Sequence, residues 1–543
     1  MGNIVYNNTF SPSVFMPDFV SCNKFNELDQ DINLYTPAEY AEQIQLAYAE
    51  TTTGEHKKEK GQFFTPKTIA DFMGNLAQPK TNKISILDPG CGTAILSCSL
   101  IEILVKKGNI KEIDLTLFEI DKGIIPSTNK VIMFLSKWLK FKNINLNINF
   151  CQKDFVLYNA DVFLENTFFQ NTEIKKYDYI ISNPPYFKIQ KSDDYAKIAK
   201  DLVYGQPNIY SIFMGISAKL LKPLGELIFI TPRSFAAGNY FKAFRRFFWD
   251  EVNISNIHIF NSRKKMFKKD SVLQENIIIK ATKSANKNIK VSVSDNDEDL
   301  TRAHTSIYRV EELIDFHSKD KILFIPTNAK EAKIIKTFKN WHNSLNDYNI
   351  QISTGPVVAF RWKNFLVDNF TFHPKVVPLF WLHNIKDMEC IFPLQKGGKP
   401  GYMIDSDKSR KVLLENKNYI LIRRFSSKDD KSRLVCSPYF ASSINSERIA
   451  IENHLNYIYR PHGKLSDKEI WGISALFSST LLDTYFRTFN GNTQVGASEL
   501  KQIKMPPLNE IILIGEKVKE LKSPGKKEIN HIINETLLGE NYV

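Results

Sequence analysis

The residues best suited to chemistry are Asn183-Pro184-Pro185-Tyr186. An apolar run, Tyr177 to Ile181, leads into them, so a buried strand should end there. The two prolines stop the strand and stiffen the turn. A side-chain amide, a proline carbonyl and an aromatic ring then project from one rigid bend. Two acceptors and a flat face suit a planar amino group. An exocyclic amine on a nucleobase meets that description, and so does a carboxamide. A simple strand-capping turn would use the same four residues, so the rest of the chain must decide.

Three further strand ends carry acids. The run Ile84 to Leu87 ends in Asp88-Pro89-Gly90-Cys91-Gly92-Thr93 before a helical stretch. Glycines at a strand-to-helix turn let backbone approach a ligand, at the end of the sheet where cofactors bind. The turn matches neither a GxGxxG nor a phosphate-loop pattern. An acid at its start suits a cofactor bearing an amine. The next run ends in Glu119-Ile120-Asp121, where a carboxylate can accept both hydroxyls of a ribose and Ile120 can pack on an adenine face. A third ends in Lys153-Asp154-Phe155, an acceptor for an adenine amino group with a ring beside it.

These turns need a scaffold. Strands are expected at Ile84–Leu87, Ile113–Phe118, Leu146–Cys151, Tyr177–Ser182, Gly225–Thr231, Val252–Ile259 and Glu275–Ala281. Helices intervene at Ala94–Lys107, Ile124–Lys140, Ile209–Leu221 and Tyr240–Trp249. Alternating strands and helices imply an α/β, Rossmann-like parallel sheet covered on both faces. The last strand is expected antiparallel at the end of the sheet. A helix over Pro37 to Glu50 should pack through Tyr40, Ile44, Leu46 and Ala47. Asn286 to Thr301 reads as a linker or peripheral hairpin. The expected division is an N-terminal helical extension (1–56), a catalytic domain (57–300) and an α+β recognition domain (301–543).

Composition narrows the function classes. The chain has 543 residues, 43% hydrophobic and 24% charged, as in folded globular proteins. A net charge of +13 favours a polyanionic partner. The six cysteines show no paired CxxC spacing, so no metal site is expected. No apolar run has the length of a membrane span, and no signal-peptide pattern opens the chain. A cytoplasmic, nucleoid-associated protein of bacterial type is the expectation.

The ordered set of Asp88, Gly90, Gly92, Glu119, Ile120, Asp154 and Phe155, followed by Asn183 to Tyr186, resembles the S-adenosylmethionine-dependent methyltransferases. It is most similar to the gamma class of N6-adenine DNA methyltransferases of restriction-modification systems, the TaqI-like enzymes. The resemblance covers roughly residues 57 to 282. It implies S-adenosylmethionine as cofactor and a flipped adenine of duplex DNA as substrate. Gly61 to Pro66 resembles the segment that closes over the methionine moiety, so the resemblance places Phe64, Thr65 and Pro66 at the cofactor, with Thr65 on its carboxylate. Phe213 matches an aromatic position of the cofactor pocket.

In the resemblance, Asn183 and the Pro184 carbonyl accept the amino hydrogens beside Pro185, and Tyr186 stacks on the base. Phe267 matches an aromatic position on its other side. Around it Lys264, Lys265, Lys268 and Lys269 can hold phosphates. The C-terminal half resembles, more loosely, the recognition region of such enzymes through Ser353 to Pro356, Leu421 to Ser426, Ser446 to Arg448 and Asn490 to Val495. Arg423 and Arg424 lie there, and arginine can read guanine. Alternative readings are an RNA methyltransferase, a protein-glutamine methyltransferase, a modification subunit needing a separate specificity subunit, or a catalytically silent DNA-binding protein. No DNA cleavage is expected of this chain, whereas a cognate restriction endonuclease would act separately.

Overall fold

The computed structural model describes residues 34–52, 64–163, 174–190, 192–205, 208–260, 275–368, 375–394, 397–426, 430–491, 494–521 and 524–539. Its centre is a nine-stranded sheet among these residues. The strands are β1 (Lys83–Pro89), β2 (Glu112–Phe118), β3 (Asn145–Cys151), β4 (Tyr177–Ser182), β5 (Leu221–Pro232), β6 (Asn253–Phe260), β7 (Asn276–Thr282), β8 (Asn288–Ser294) and β9 (His304–Arg309). Their order is β3-β2-β1-β4-β5-β7-β6-β8-β9. Strands β3 to β5 run parallel, and β7 is antiparallel to both β5 and β6. This is the expected Rossmann-like methyltransferase sheet. The chain moves outward to β2 and β3, then returns across β1 to β4, which makes the β1/β4 boundary the switch point where ligands bind.

Apolar residues at successive positions build two cores. Ile228 and Ile230 of β5 face one, and Leu227 and Phe229 face the other. Each such side chain, when fully buried, contributes roughly 1.5–3 kcal/mol of transfer free energy. One face is covered by α1 (Pro37–Thr51), α2 (Lys67–Asn75), α3 (Ile95–Lys107) and α4 (Ile125–Phe141). The other is covered by α5 (Ile209–Lys219) and α6 (Lys242–Glu251).

Three expectations need correction. First, β7 is antiparallel but lies between β5 and β6, not at the end of the sheet. Its seven residues are all buried, which an edge strand would not allow. Second, the segment expected as a linker or peripheral hairpin begins a hairpin that belongs to the main sheet: β8 pairs parallel to β6, and β9 follows it antiparallel at the sheet's end. The sheet therefore runs to Arg309, past the boundary expected at residue 300. Third, α1 packs through a different face from the one expected. Its buried face is Ala38, Ala41 and Gln45, while Leu46 and Ala47 are exposed. Two alanines let the helix approach closely, and Tyr40 stacks on Phe134 of α4 at 4.3 Å.

Beyond β9 lie smaller sheets. One has four strands: β10 (Gln351–Thr354), β11 (Tyr419–Arg423), β12 (Cys436–Tyr439) and β13 (Leu455–Tyr459), in the order β10-β13-β11-β12. Helices α7 (Asp467–Ser478), α8 (Thr480–Phe489), α9 (Leu508–Lys519) and α10 (Lys526–Leu538) share a core with it. Among the described residues no helix is long and apolar enough to cross a membrane, and no group of three or more His, Cys, Asp or Glu residues could hold a metal ion.

Candidate active site

A cavity of about 280 Å³ opens at the carboxyl ends of β1 to β4. The turn after β1 forms its floor. Gly90 has φ +74° and Gly92 φ +55°, in the left-handed region that disfavours side chains. A Cβ on Gly90 would stand 3.7 Å from Phe213 and 4.0 Å from Pro185. Phe155 and Phe213 pack with ring centroids 5.0 Å apart and form an apolar wall. Phe64, Glu119, Ile120, Asp154, Asn183 and Pro185 also line the cavity. Ile120 is 56% exposed, which puts an apolar side chain at the rim with little else to cover it.

Each acid is held differently. Asp88 is fully buried beneath the turn and does not line the cavity. Its Oδ2 accepts from Ser97 Oγ at 2.7 Å, and Oδ1 has no hydrogen-bond partner. Burial pushes its pKa up to about 7. Glu119 accepts from the backbone N–H groups of Ile120 and Asp121, each at 2.8 Å, and of Gly92 at 2.9 Å. A carboxylate offers about four lone-pair sites, so about one remains for a ligand hydroxyl. Asp121 lines the same cavity and supplies a second acceptor. Asp154 caps a short helix through Leu157 N and accepts from Tyr195 Oη at 2.7 Å.

The amide of Asn183 is oriented at both ends. Its Nδ2 donates to Thr65 Oγ1 at 3.0 Å, and its Oδ1 accepts from the Tyr186 hydroxyl at 2.5 Å. The same hydroxyl lies 3.0 Å from the Ile230 carbonyl of β5. Burial holds the Tyr186 phenol far above its ordinary pKa, so it remains a donor. The Tyr186 ring is 9% exposed and meets Tyr210 edge-on. The face it turns to solvent is therefore small. Thr65 is anchored in turn by Gln45 of α1, whose Nε2 donates to the Thr65 carbonyl at 3.0 Å. Gln45 Oε1 accepts from Thr93 Oγ1 of the glycine turn at 3.3 Å. One buried glutamine thus joins the Thr65 segment and the glycine turn to the helix that covers them.

Residues 104–267 match the family model of the Eco57I restriction-modification methylases. The chain is 33% identical to the type II methyltransferase M.BsuBI of Bacillus subtilis over 89% of its own length and 95% of that protein. It is 30% identical to M.PstI of Providencia stuartii over 90% of its length and 95% of that protein. The chain belongs to the restriction-modification methyltransferases. As such it acts on DNA, and its methyl donor is S-adenosylmethionine. A solved structure of the type IIL restriction-modification enzyme MmeI in complex with DNA is matched at TM-score 0.46 and 12% identity, over 94% of this chain and 74% of that one.

The residues of this methyltransferase fit that donor. An unpartnered buried carboxylate oxygen at Asp88 suits a cationic ligand above the turn. Acceptors on Glu119 and Asp121 suit hydroxyls, and Ile120, Phe155 and Phe213 give apolar walls for a purine. Thr65 and Pro66 lie behind the cavity wall, at the entry to α2, and are not among its lining residues.

Three residues escaped sequence reasoning. Gln45 sits on a helix read as an extension, and only its polarity within an apolar face pointed inward. Tyr48, also on α1, reaches Asp121 Oδ2 at 3.4 Å and packs edge-on to Phe64. Tyr195 follows the catalytic turn by nine residues on a short helix with no distinctive motif.

Among the C-terminal candidates, both arginines hold backbone. Arg423 Nε donates to the Ile385 carbonyl at 2.7 Å, and Arg424 Nη1 donates to the Asn453 carbonyl at 3.1 Å. Lys264, Lys265 and Phe267 lie outside the described residues, as do Gly61 to Phe63.

Proposed function

We propose that this methyltransferase transfers a methyl group to N6 of an adenine flipped out of duplex DNA. The observation that carries this reading is the Asn183 amide, clamped between Thr65 and Tyr186 at the rim of the cofactor cavity. Clamping fixes which amide atom is the acceptor. Asn183 Oδ1 already accepts one hydrogen bond, and a carbonyl oxygen has a second lone pair for an amino hydrogen. The Pro184 carbonyl takes the other.

Accepting both hydrogens withdraws the nitrogen lone pair from the purine ring. The nitrogen becomes more tetrahedral, and its lone pair can turn toward the cavity. S-adenosylmethionine, when bound there, supplies an electrophilic methyl group. No residue needs to remove a proton before attack, because the nitrogen becomes acidic only once it is alkylated. Rate then depends on alignment, which two rigid strand ends and an oriented amide provide.

Tyr186 holds Asn183 and offers a small ring face to the base. A base–aromatic stack contributes on the order of 1–3 kcal/mol, which offsets part of the unstacking cost. The cognate endonuclease is proposed as a separate chain.

The test is single-molecule sequencing of DNA from cells expressing the protein. N6-methyladenine confined to one sequence context is the expected result. Methylated cytosine N4, or DNA unmodified above background, would overturn the proposal.

A further inference from the structure

Four loops meet at one edge of the C-terminal half. Gly355 N donates to the Leu455 carbonyl at 2.8 Å, and Asn453 N to Val357 at 2.9 Å. Arg424 N donates to the His454 carbonyl at 2.9 Å, and Val495 N to Arg424 at 2.7 Å. Phe425 bridges Gln494 in antiparallel fashion. Gly355 is required by this crowding, since a Cβ there would stand 2.3 Å from the Glu452 carbonyl oxygen.

This edge is tied to the catalytic strand. Arg233, directly after β5, donates from Nη2 to the carbonyl of Arg487 at 3.0 Å and to that of Thr488. Gly491 lies against the Arg233 side chain, with room for a Cβ only 3.0 Å from it. Ile230 of the same strand receives the Tyr186 hydroxyl. The loop edge therefore neighbours the strand end that supports Asn183.

One arrangement on that edge has no use in packing. Glu452 is buried, with its side chain 1% exposed. Both of its carboxylate oxygens serve His454. Oε2 accepts from His454 N at 2.9 Å, and Oε1 faces Nδ1 at 2.6 Å. Facing a carboxylate, Nδ1 is the donor, so Nε2 is left without a partner among the described residues. The imidazole side chain is 42% exposed. Phe425, 39% exposed, lies beside it with centroids 4.9 Å apart. Burying a carboxylate costs free energy, and here it is spent on fixing an exposed ring. The Arg424 guanidinium on the Asn453 carbonyl puts a cation next to the pair.

We infer that the Phe425–His454 pair, oriented by Glu452, is a contact surface for the duplex that flanks the target base. The inference rests on the DNA-methyltransferase reading above. Positive charge beside a fixed polar ring and an open aromatic face suits a polyanion with stacked bases, and the chain's net charge of +13 agrees. With the hydrogen on Nδ1, Nε2 of the neutral ring accepts from a base-edge amino group, whereas the imidazolium form donates to a phosphate oxygen, so one nitrogen can meet either part of the duplex.

The experiment measures duplex affinity by fluorescence anisotropy for the full chain and for His454→Ala, Phe425→Leu and Glu452→Gln. Cofactor affinity, by calorimetry, reports folding of each. The expected result is about tenfold weaker duplex binding by His454→Ala and Phe425→Leu, with cofactor affinity unchanged. Glu452→Gln should weaken binding less, because an amide oxygen can still accept from Nδ1. Equal loss on site-bearing and unrelated duplexes assigns the pair to the phosphates, whereas loss confined to the site assigns it to base edges. Variants that bind like the parent would overturn the inference and leave the methyltransferase reading intact. A parent chain that binds no duplex would overturn both.

Discussion

Asn183 works through neighbours that hold its amide, so its variants should separate chemistry from binding. Asn183→Ala should lower turnover by at least about 100-fold, the usual cost of deleting one well-placed polar group at a reacting centre. Calorimetric cofactor affinity and duplex affinity should survive. Tyr186→Phe keeps the ring and should cost about fivefold in turnover, the worth of one hydrogen bond of about 1 kcal/mol. Near-normal turnover by Asn183→Ala would exclude the acceptor role. Asp88 makes a pH prediction. Burial raises its folded pKa from an ordinary 3.8 to about 7. The folded protein thus keeps a proton that the unfolded chain has released, so this group's contribution to stability is full below about pH 4 and lost as pH rises through about 7. A cationic cofactor prefers the ionised acid. Its affinity should therefore rise with pH through about 7, with a proton released on binding. Asp88→Asn should flatten that slope, and an unchanged slope in this variant would show that another group titrates.

At the scale of elements, α1 determines whether the cofactor segment is held. Gln45→Leu leaves the buried Thr65 carbonyl without its donor, at a cost of about 1–3 kcal/mol. Weaker cofactor binding by calorimetry and a lower melting temperature are expected, since Thr65 would lose its anchor to the glycine turn. Unchanged cofactor affinity would confine Gln45 to packing. The strands β1 to β7 were legible within a few residues because alternating or continuous apolar runs and terminal Gly, Pro and acid residues mark a buried parallel sheet. Strand β4 was read from Tyr177 to Ser182, as found. The position of β7 between β5 and β6 was not legible, because burial on both faces specifies an inner strand but not which neighbours it takes. Strand β8 was read only within a linker or peripheral hairpin, and β9 was missed, for another reason. Their polar, charged composition reflects an exposed sheet edge, where β9 alternates between exposed and half-buried residues. The acids were legible as strand-end residues, and of these Glu119 and Asp154 line the cavity while Asp88 is buried beneath it. Gln45, Tyr48 and Tyr195 were not: Tyr195 lines the cavity from a short helix, Gln45 and Tyr48 brace the segments around it from α1, and none carries a motif of its own.

The whole molecule is joined at Arg233. Its guanidinium pairs with Glu275 at 3.1 Å, and both side chains are almost fully buried. The other amino group meets the carbonyls that end α8, where the helix dipole is negative. A single ion thus closes β5 against the start of β7 and fastens the catalytic sheet to the C-terminal half. Replacing one partner of a buried pair typically costs about 3–5 kcal/mol, because the remaining charge stays desolvated. Replacing both with apolar residues of similar volume is often close to neutral. Arg233→Met should therefore be strongly destabilising, and Arg233→Met combined with Glu275→Leu should recover much of that loss in thermal unfolding. Recovery of stability need not restore function. The carbonyls at the end of α8 would still lack their donor, and the four loops around Phe425 and His454 would lose their register with the strand supporting Asn183. Duplex methylation by the double variant should stay low while its cofactor affinity approaches the parent's. If methylation returned together with stability, Arg233 would be a structural clamp alone, and alignment of DNA with the catalytic amide would have to arise elsewhere in the interface.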